Sequence, residues 1–137
     1  MEPTPDRTPV SELTDDEAWE LLASQRVGRL ATAAAGMADI FPVSFAVDDR
    51  SILFRTTPGS KLVELTVNSE VAFEADEIDE STARSVVLRG LAQVVEEDEA
   101  VLRAEQLLPR TFSGEDDKDT WVRITPMAIR GRRLTRG

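Results

Sequence analysis

The chain has no cysteine and no histidine. The first absence removes disulfides, thiolate metal sites and a sulfur nucleophile. With the second, Ser-His-Asp and Cys-His catalysis and nearly all zinc chemistry are excluded. General acid and base work is left to carboxylates, two lysines or bound water, so an enzyme built on this chain would draw its chemistry from a cofactor. Positive charge is also scarce. Against 26 acidic residues stand 16 basic ones, a net charge of -10, which favours solubility and argues against a duplex nucleic acid as partner. Fourteen of the basic residues are arginine, leaving Lys61 and Lys118 as the lysines. No apolar run nears the roughly 20 residues that span a bilayer, and the first stretch, MEPTPDRTPVSE, is polar and proline-rich. The expectation is a cytoplasmic protein that engages neither membrane nor nucleic acid.

What is present suits one folded domain. At 137 residues with 41% apolar and 31% charged residues, the chain can bury about two-thirds of its unfolded surface around a single core. Residues 1–12 read as a flexible arm and 13–137 as the domain. Thr14-Asp15-Asp16-Glu17 is a capping box that opens a helix with Ala18, Leu21, Leu22 and Gln25 on one face and Trp19, a core residue, at its edge. Val27 to Ala33 alternates as a strand, and Ala35-Gly36-Met37 turns it into a second strand, Asp39 to Val47. Asp48-Asp49-Arg50 reverses the chain into a third, Ser51 to Thr57. Glu70 to Ala75 is a further strand, followed by Asp76 to Glu80 as an acidic loop that lacks the glycine-turned pattern of a calcium site. Arg84 to Val95 is long, and Gly90 in its middle predicts a bulge or bend. Glu96 to Leu108 predicts a second helix with Val101, Leu102 and Leu108 on a partial apolar face. Trp121 to Thr125 and, beyond Pro126, Ala128 to Leu134 read as strand segments, the latter at a sheet edge. Five arginines and no acid follow Trp121. That basic stretch suits an anionic ligand tail, the acidic surface of a second copy, or an edge protected by charge.

The densest chemistry lies at the end of the third strand. Arg55, Thr56, Thr57, Ser60 and Lys61 fall within seven positions around Pro58-Gly59, with Ser60 placed to cap a short helix over Lys61 to Val67. Two cations, three hydroxyls and a helix N-terminus are suited to an anion. The same groups also suit an ordinary solvated turn and cap, and spacing does not name a ligand.

The motifs taken in order narrow the choice. Val27-Gly28-Arg29-Leu30-Ala31, Phe41-Pro42-Val43-Ser44-Phe45, Ile52-Leu53-Phe54-Arg55-Thr56-Thr57 with Gly59-Ser60-Lys61-Leu62, Val71 to Asp76, Ser85 to Gly90, and Ile124-Thr125-Pro126 with Ile129, Gly131, Arg132 and Arg133 resemble the pyridoxamine 5'-phosphate oxidase-like family. The resemblance implies an α+β fold, an antiparallel split β-barrel with short flanking helices, assembled as a homodimer with two flavin sites at its interface. It assigns Arg55, Thr56, Thr57, Ser60 and Lys61 to the ribityl phosphate of FMN and sets Pro42, Val43 and Ser44 along the isoalloxazine edge. It also brings Arg84, Ser85 and Trp121 toward the ring from the partner side. Two positions depart from the pattern: many relatives carry Trp where this chain has Arg84, and Asn where it has Ser44. The chain is short for the true oxidase and lacks a recognisable segment for its substrate. The resemblance therefore implies a flavin-dependent oxidoreductase acting on a small molecule, with a deazaflavin coenzyme as the alternative to FMN and a non-catalytic flavin carrier as the alternative function. No catalytic side chain and no metal ligand are assigned.

Overall fold

The computed structural model describes residues 9–56, 69–108 and 120–136. Along the chain these form β1 (Val10–Glu12), α1 (Asp15–Ser24), β2 (Val27–Ala34), β3 (Met37–Val47), β4 (Ile52–Thr56), β5 (Ser69–Ile78), β6 (Thr82–Val94), α2 (Asp98–Leu107) and β7 (Thr120–Thr135). Every strand pairing is antiparallel. The order is β1-β7-β4-β3-β2-β5-β6, and β6 pairs back onto β7, so six strands close into a ring and β1 is appended to it. This is the α+β antiparallel barrel with flanking helices that the motifs predict.

Period-two alternation sorts the side chains. Leu30, Val43, Phe45, Ile52, Phe54, Val71, Phe73, Val86, Leu88, Val122 and Ile124 are buried in one cluster, while their sequence neighbours face outward. Phe45 and Phe73 meet edge to face inside, with ring centroids 4.8 Å apart, a preferred aromatic geometry. Ala18, Trp19, Leu21 and Leu22 of α1 join the same cluster, and α1 touches β3, β5, β6 and β7. It therefore lies across one end of the barrel. Its capping box is formed: the Glu17 amide donates to Thr14 Oγ1 at 3.1 Å, and the Thr14 amide to Glu17 Oε1 at 2.8 Å.

The β2–β3 and β3–β4 hairpins use left-handed backbone. Ala35 and Gly36 have φ of 53° and 78°, and Asp49 and Arg50 of 52° and 57°. Two successive positive φ angles give a turn whose twist matches that of paired strands. At the second hairpin Asp48 and Ser51 exchange both backbone hydrogen bonds at 3.0 Å.

Three readings of the sequence change. Val10–Glu12, at the end of the stretch read as an arm, pairs with Arg132–Leu134; three residues carry no periodicity that would mark a strand. The acidic segment is mostly strand, since β5 runs to Ile78. Asp76 accepts from Arg29, and Glu77 from Arg84, so these carboxylates serve cross-strand ion pairs rather than a loop. Finally, Trp121 to Leu134 belongs to one continuous strand, and Arg132–Leu134 are flanked on both sides, by β6 and β1, rather than at an edge. β7 pairs with β4 through Thr120–Ile124, with β6 along most of its length and with β1 near its end. Pro126 is accommodated because the register shifts there: Gly90 pairs with Pro126 and Arg89 with Ala128, which leaves Met127 as the extra residue of a bulge. The predicted irregularity at Gly90 is thus present, with its additional residue on the facing strand.

Thr32 points inward from β2, is buried, and its Oγ1 lacks a hydrogen-bond partner among the described residues. A buried hydroxyl without a partner costs about 1–3 kcal/mol. Thr32→Val keeps the shape and removes the hydroxyl, so thermal melts are expected to show a midpoint higher by a few degrees. An equal or lower midpoint would mean that the hydroxyl is satisfied in solution.

Candidate functional site

The site begins where two strands part. β3 and β4 pair only through Phe45–Phe54, Ala46–Leu53 and Val47–Ile52. Beyond Phe54, Arg55 and Thr56 continue in register with Trp121 and Thr120 of β7, while Pro42, Val43 and Ser44 continue opposite Arg29, Gly28 and Val27 of β2. A cleft is left with Pro42 to Ser44 on one lip and Arg55 and Thr56 on the other. Along it the β3 edge carries no partner strand among the described residues. Pro42 has no N–H to leave unpaired.

Ser44 and Arg55 lie on the outer face, because each is two positions from a member of the Ala46–Leu53 pair and side chains alternate. Trp121, opposite Arg55 in register, is on that face too, and the Arg55 guanidinium carbon lies 5.3 Å from the centre of its ring, within cation–π range. Val43 differs: opposite Gly28, its side chain is buried in the core, so only its backbone is available to the cleft. Trp121 is buried in a second cluster with Leu53 and Ala104, flanked by Val95, Val101 and Leu108. The helix expected here to present Val101, Leu102 and Leu108 therefore docks through Ala104 with Val101 and Leu108 beside it, while Leu102 is exposed.

On the other side of Ser44 is a cavity of about 550 Å³ lined by Gln25, Arg26, Val27, Ala46, Leu107 and Leu108, among others. Its walls are the C-terminal ends of α1 and α2 and its floor is β3. The volume suits a small-molecule site, and the lining is of the usual kind, apolar with a few polar groups. Nothing in the sequence marked these wall residues, because they come from three separated segments.

Arg84 and Ser85 do not join this group within one chain. They stand on β6, three strands from β3 in either direction around the ring. Arg84 is paired with Glu77 and donates from Nε to Oε1 at 3.1 Å. Ser85 lines a different cavity. Thr57, Ser60, Lys61 and the predicted short helix lie outside the described residues.

Two ion-pair networks hold the surroundings. Arg29, opposite Pro42, pairs with Glu74, and through Nη2 with Asp76 at 3.3 Å. The hydrogen bond to Glu74 outweighs partial burial and raises the Arg29 pKa further. Below the cleft, Asp48 Oδ2 accepts from Arg103 of α2 at 3.0 Å and from Arg123 of β7 at 3.2 Å, and Arg123 also donates to Ser51 Oγ. One carboxylate thus joins the β3–β4 turn, the α2 helix and β7.

Burial works to raise the Asp48 pKa, but the hydrogen bonds and charges of the two arginines prevail and hold it below the usual carboxylate value. A carboxyl whose pKa is depressed on folding adds stability above its unfolded pKa, about 3.9. The gain is lost as pH falls through the folded value. Denaturant melts of wild type and Asp48→Asn are therefore expected to differ above about pH 4 and to converge as the solution becomes more acid. A constant difference would remove the ion pairs as its source.

Residues 14–133 match the sequence profile of the family described as Pyridoxamine 5'-phosphate oxidase. The chain belongs to that family. Among relatives of this pyridoxamine 5'-phosphate oxidase family member, the protein Rv0080 of Mycobacterium tuberculosis is 38% identical over 133 residues, covering 91% of this chain and 86% of the relative. The solved structure of the FAD binding protein from Mycobacterium smegmatis superposes with a TM-score of 0.85 at 37% identity, over 93% of this chain and all of that one. A FAD-binding protein from Mesorhizobium loti, 24% identical, has a TM-score of 0.80 over 90% of this chain and 97% of its own, a likeness of fold alone. No helix among the described residues is long and apolar enough to cross a membrane.

Proposed function

We propose that this family member is a flavin nucleotide-binding oxidoreductase that works as a homodimer, the bound flavin exchanging a hydride with a small molecule. The observation that carries the reading is the cleft between β3 and β4. An open stretch of β3 edge at Pro42 to Ser44 faces the strand that bears Arg55 and Thr56, with the roomy, mostly apolar cavity beside Ser44. Backbone groups suit the polar edge of a flat ring, and a guanidinium suits a phosphate. The 37% identical FAD binding protein supports a flavin as the ligand class.

When bound, a flavin supplies the hydride chemistry that the side chains of this chain lack. The residues present position it. Arg55 and Thr56, with Thr57, Ser60 and Lys61, would hold the phosphate, and Pro42 to Ser44 would align the ring. Ala23, Leu107 and Leu108 at the ends of α1 and α2 would keep water from the ring face. Ser44 is the polar side chain on the lip, able to donate a hydrogen bond where many relatives use an amide. Arg84 and Ser85 would approach from the second copy, whereas Trp121, buried beneath α2 in its own chain, would steady Arg55 instead. The outer barrel face offers Ile40 and Val87, 69% and 48% exposed, as apolar area for such a contact. FMN is the expected ligand and the deazaflavin coenzyme the alternative.

The test is a parallel fluorescence-quenching titration of the stripped protein with FMN, FAD and the deazaflavin coenzyme, followed by anaerobic cycling with reduced nicotinamide. Tight binding at one per chain with repeated bleaching is the expected result. Tight binding without redox turnover would favour a carrier, and no tight binding of any would remove the flavin reading.

A further inference from the structure

The cavity beside Ser44 combines an apolar lining with one unpaired cation. Ala46 and Val47 belong to its floor and Leu107 and Leu108 to one wall, and Val27 and Leu107 are left exposed at its rim. Apolar side chains open to water around a cavity of about 550 Å³ are surface that a ligand with an apolar body would cover. In a chain with 26 acidic residues, no carboxylate is among the described residues of the lining. The charged group there is Arg26.

Arg26 is placed by its backbone: its carbonyl accepts from the Phe45 amide at 3.0 Å, one residue before β2 begins at Val27 opposite Ser44. Arg29, Arg50, Arg84, Arg103 and Arg123 each pair with a carboxylate, whereas the Arg26 guanidinium makes no ion pair or hydrogen bond among the described residues. Asp48, just past the end of β3, is already held by Arg103 and Arg123. Beside Arg26, Gln25 donates from Nε2 to Ser24 Oγ at 3.1 Å and has a second N–H to give.

The helix ends act in the opposite sense. Both α1 and α2 terminate at this cavity, and a helix C-terminus carries about half a negative charge on its last carbonyls. Part of that is answered internally: Ser24 Oγ donates to the Leu21 carbonyl, the Gln25 amide to that of Leu22 and the Leu108 amide to that of Ala104. The full charge of Arg26, on a planar fork that matches two carboxylate oxygens, is the stronger field at the mouth once an apolar body has displaced water there.

We infer that this cavity takes a monocarboxylate with an apolar body, the carboxylate on Arg26 and Gln25 and the body over Ala46 and Val47 against the end of α2. Arg26 is the residue that selects the ligand by charge. That this ligand is the substrate of the oxidoreductase rests on the flavin reading above; the charge preference of the cavity does not.

Calorimetric titrations of the full chain, with and without saturating FMN, test it with three probes that share a ring system and differ in charge: naphthoate, naphthalenemethanol and naphthylmethylammonium. Wild type is expected to bind naphthoate about fivefold more tightly than the alcohol, the upper range for a charge pair at a partly exposed position, and the ammonium ion more weakly than either. Arg26→Gln should abolish the preference while alcohol and FMN affinities stay within twofold, and Arg26→Lys should keep part of it. Ala23→Trp, which narrows the cavity from the exposed end of α1, should weaken naphthoate and the alcohol alike. The inference is overturned if naphthoate is preferred by less than threefold, if the preference survives Arg26→Gln, if Ala23→Trp leaves naphthoate binding within twofold, or if no probe binds with or without FMN. A preference for the ammonium ion overturns it too, since the helix ends would then set the charge of the ligand. Absence of FMN binding beside an intact naphthoate preference would strike the flavin reading alone, and tight FMN binding without that preference would strike this inference alone.

Discussion

Replacing Arg55 with alanine is expected to weaken flavin nucleotide binding by ten- to a hundredfold, the equivalent of about 1.5–3 kcal/mol for a charge-assisted hydrogen bond. Arg55→Lys should recover part of the loss, because it keeps the charge but not the planar fork. Arg55 also stacks on Trp121 beneath α2, so a fall in affinity could arise from loosening of that helix. Thermal melts of the ligand-free variants separate the two causes. A phosphate role predicts a large change in affinity with a midpoint close to wild type, whereas a purely structural role predicts the reverse. Lys61→Ala should act in the same direction. If both alanine variants bound FMN within twofold of wild type, the phosphate would have to be held elsewhere and the assignment of this strand end would fail.

The largest effect on stability is expected at Gly90. A Cβ built there would lie 2.3 Å from the Thr125 carbonyl oxygen and 2.9 Å from Ile124 Cγ2. The first neighbour is backbone, pinned in the β6–β7 ladder on the inner face, so it cannot swing aside as the end of a side chain would. Gly90→Ala must push β7 outward at the bulge, and overpacking of this kind costs about 1–3 kcal/mol, occasionally more. For a domain of this size a loss of about 3 kcal/mol lowers the melting midpoint by roughly 10 °C. Gly90→Val should prevent folding at ordinary temperature. A Gly90→Ala midpoint within two or three degrees (about 0.5–1 kcal/mol) of wild type would show that the ladder opens at the bulge with little resistance.

Much of the barrel could be read from local chemistry. Thr14 and Glu17 announce a helix start through a box that the structure closes on both sides. Val27 to Ala34 and Thr82 to Val94 follow the two-residue alternation closely, since their inner faces meet one core. Gly90 could be read because a glycine inside an apolar strand weakens it unless the chain bends or another backbone comes close. The placement of Pro126 was harder. A proline argues against a central strand unless its missing N–H coincides with a bulge, and that coincidence depends on residues thirty-six positions away. Of the α2 face read from the sequence, Val101 and Leu108 do pack against the Trp121 cluster, but Leu102 was misjudged for a similar reason. A small residue, Ala104, fits over Leu53 and Trp121, and hydrophobicity ranks Leu102 above it. Of the cations and hydroxyls around Arg55 that spacing picked out, Arg55 and Thr56 stand at the end of β4 among the described residues. The walls of the neighbouring cavity could not be read from the sequence, because Gln25, Val27 and Leu107 become neighbours only when the chain is folded. Nor did spacing foretell that Asp48 would gather arginines 55 and 75 positions away.

The closing of the ring on β7 has a consequence for how the protein comes into being. β7 supplies the partner for β1, for β4 and for β6, and all three precede it in the chain. Until residue 120 and those after it are made, each of these strands presents an unpaired edge, and the buried faces of Phe54 and Leu88 lack Val122 and Ile124 to pack against. The nascent chain therefore carries its greatest load of sticky surface just before completion, when long-range pairings must form together. Translation arrested short of Thr120 should yield chains that depend on a holdase or aggregate through their open edges. In this molecule quality control and topology meet at a single strand, so lesions along β7 should be read first as failures to finish the fold.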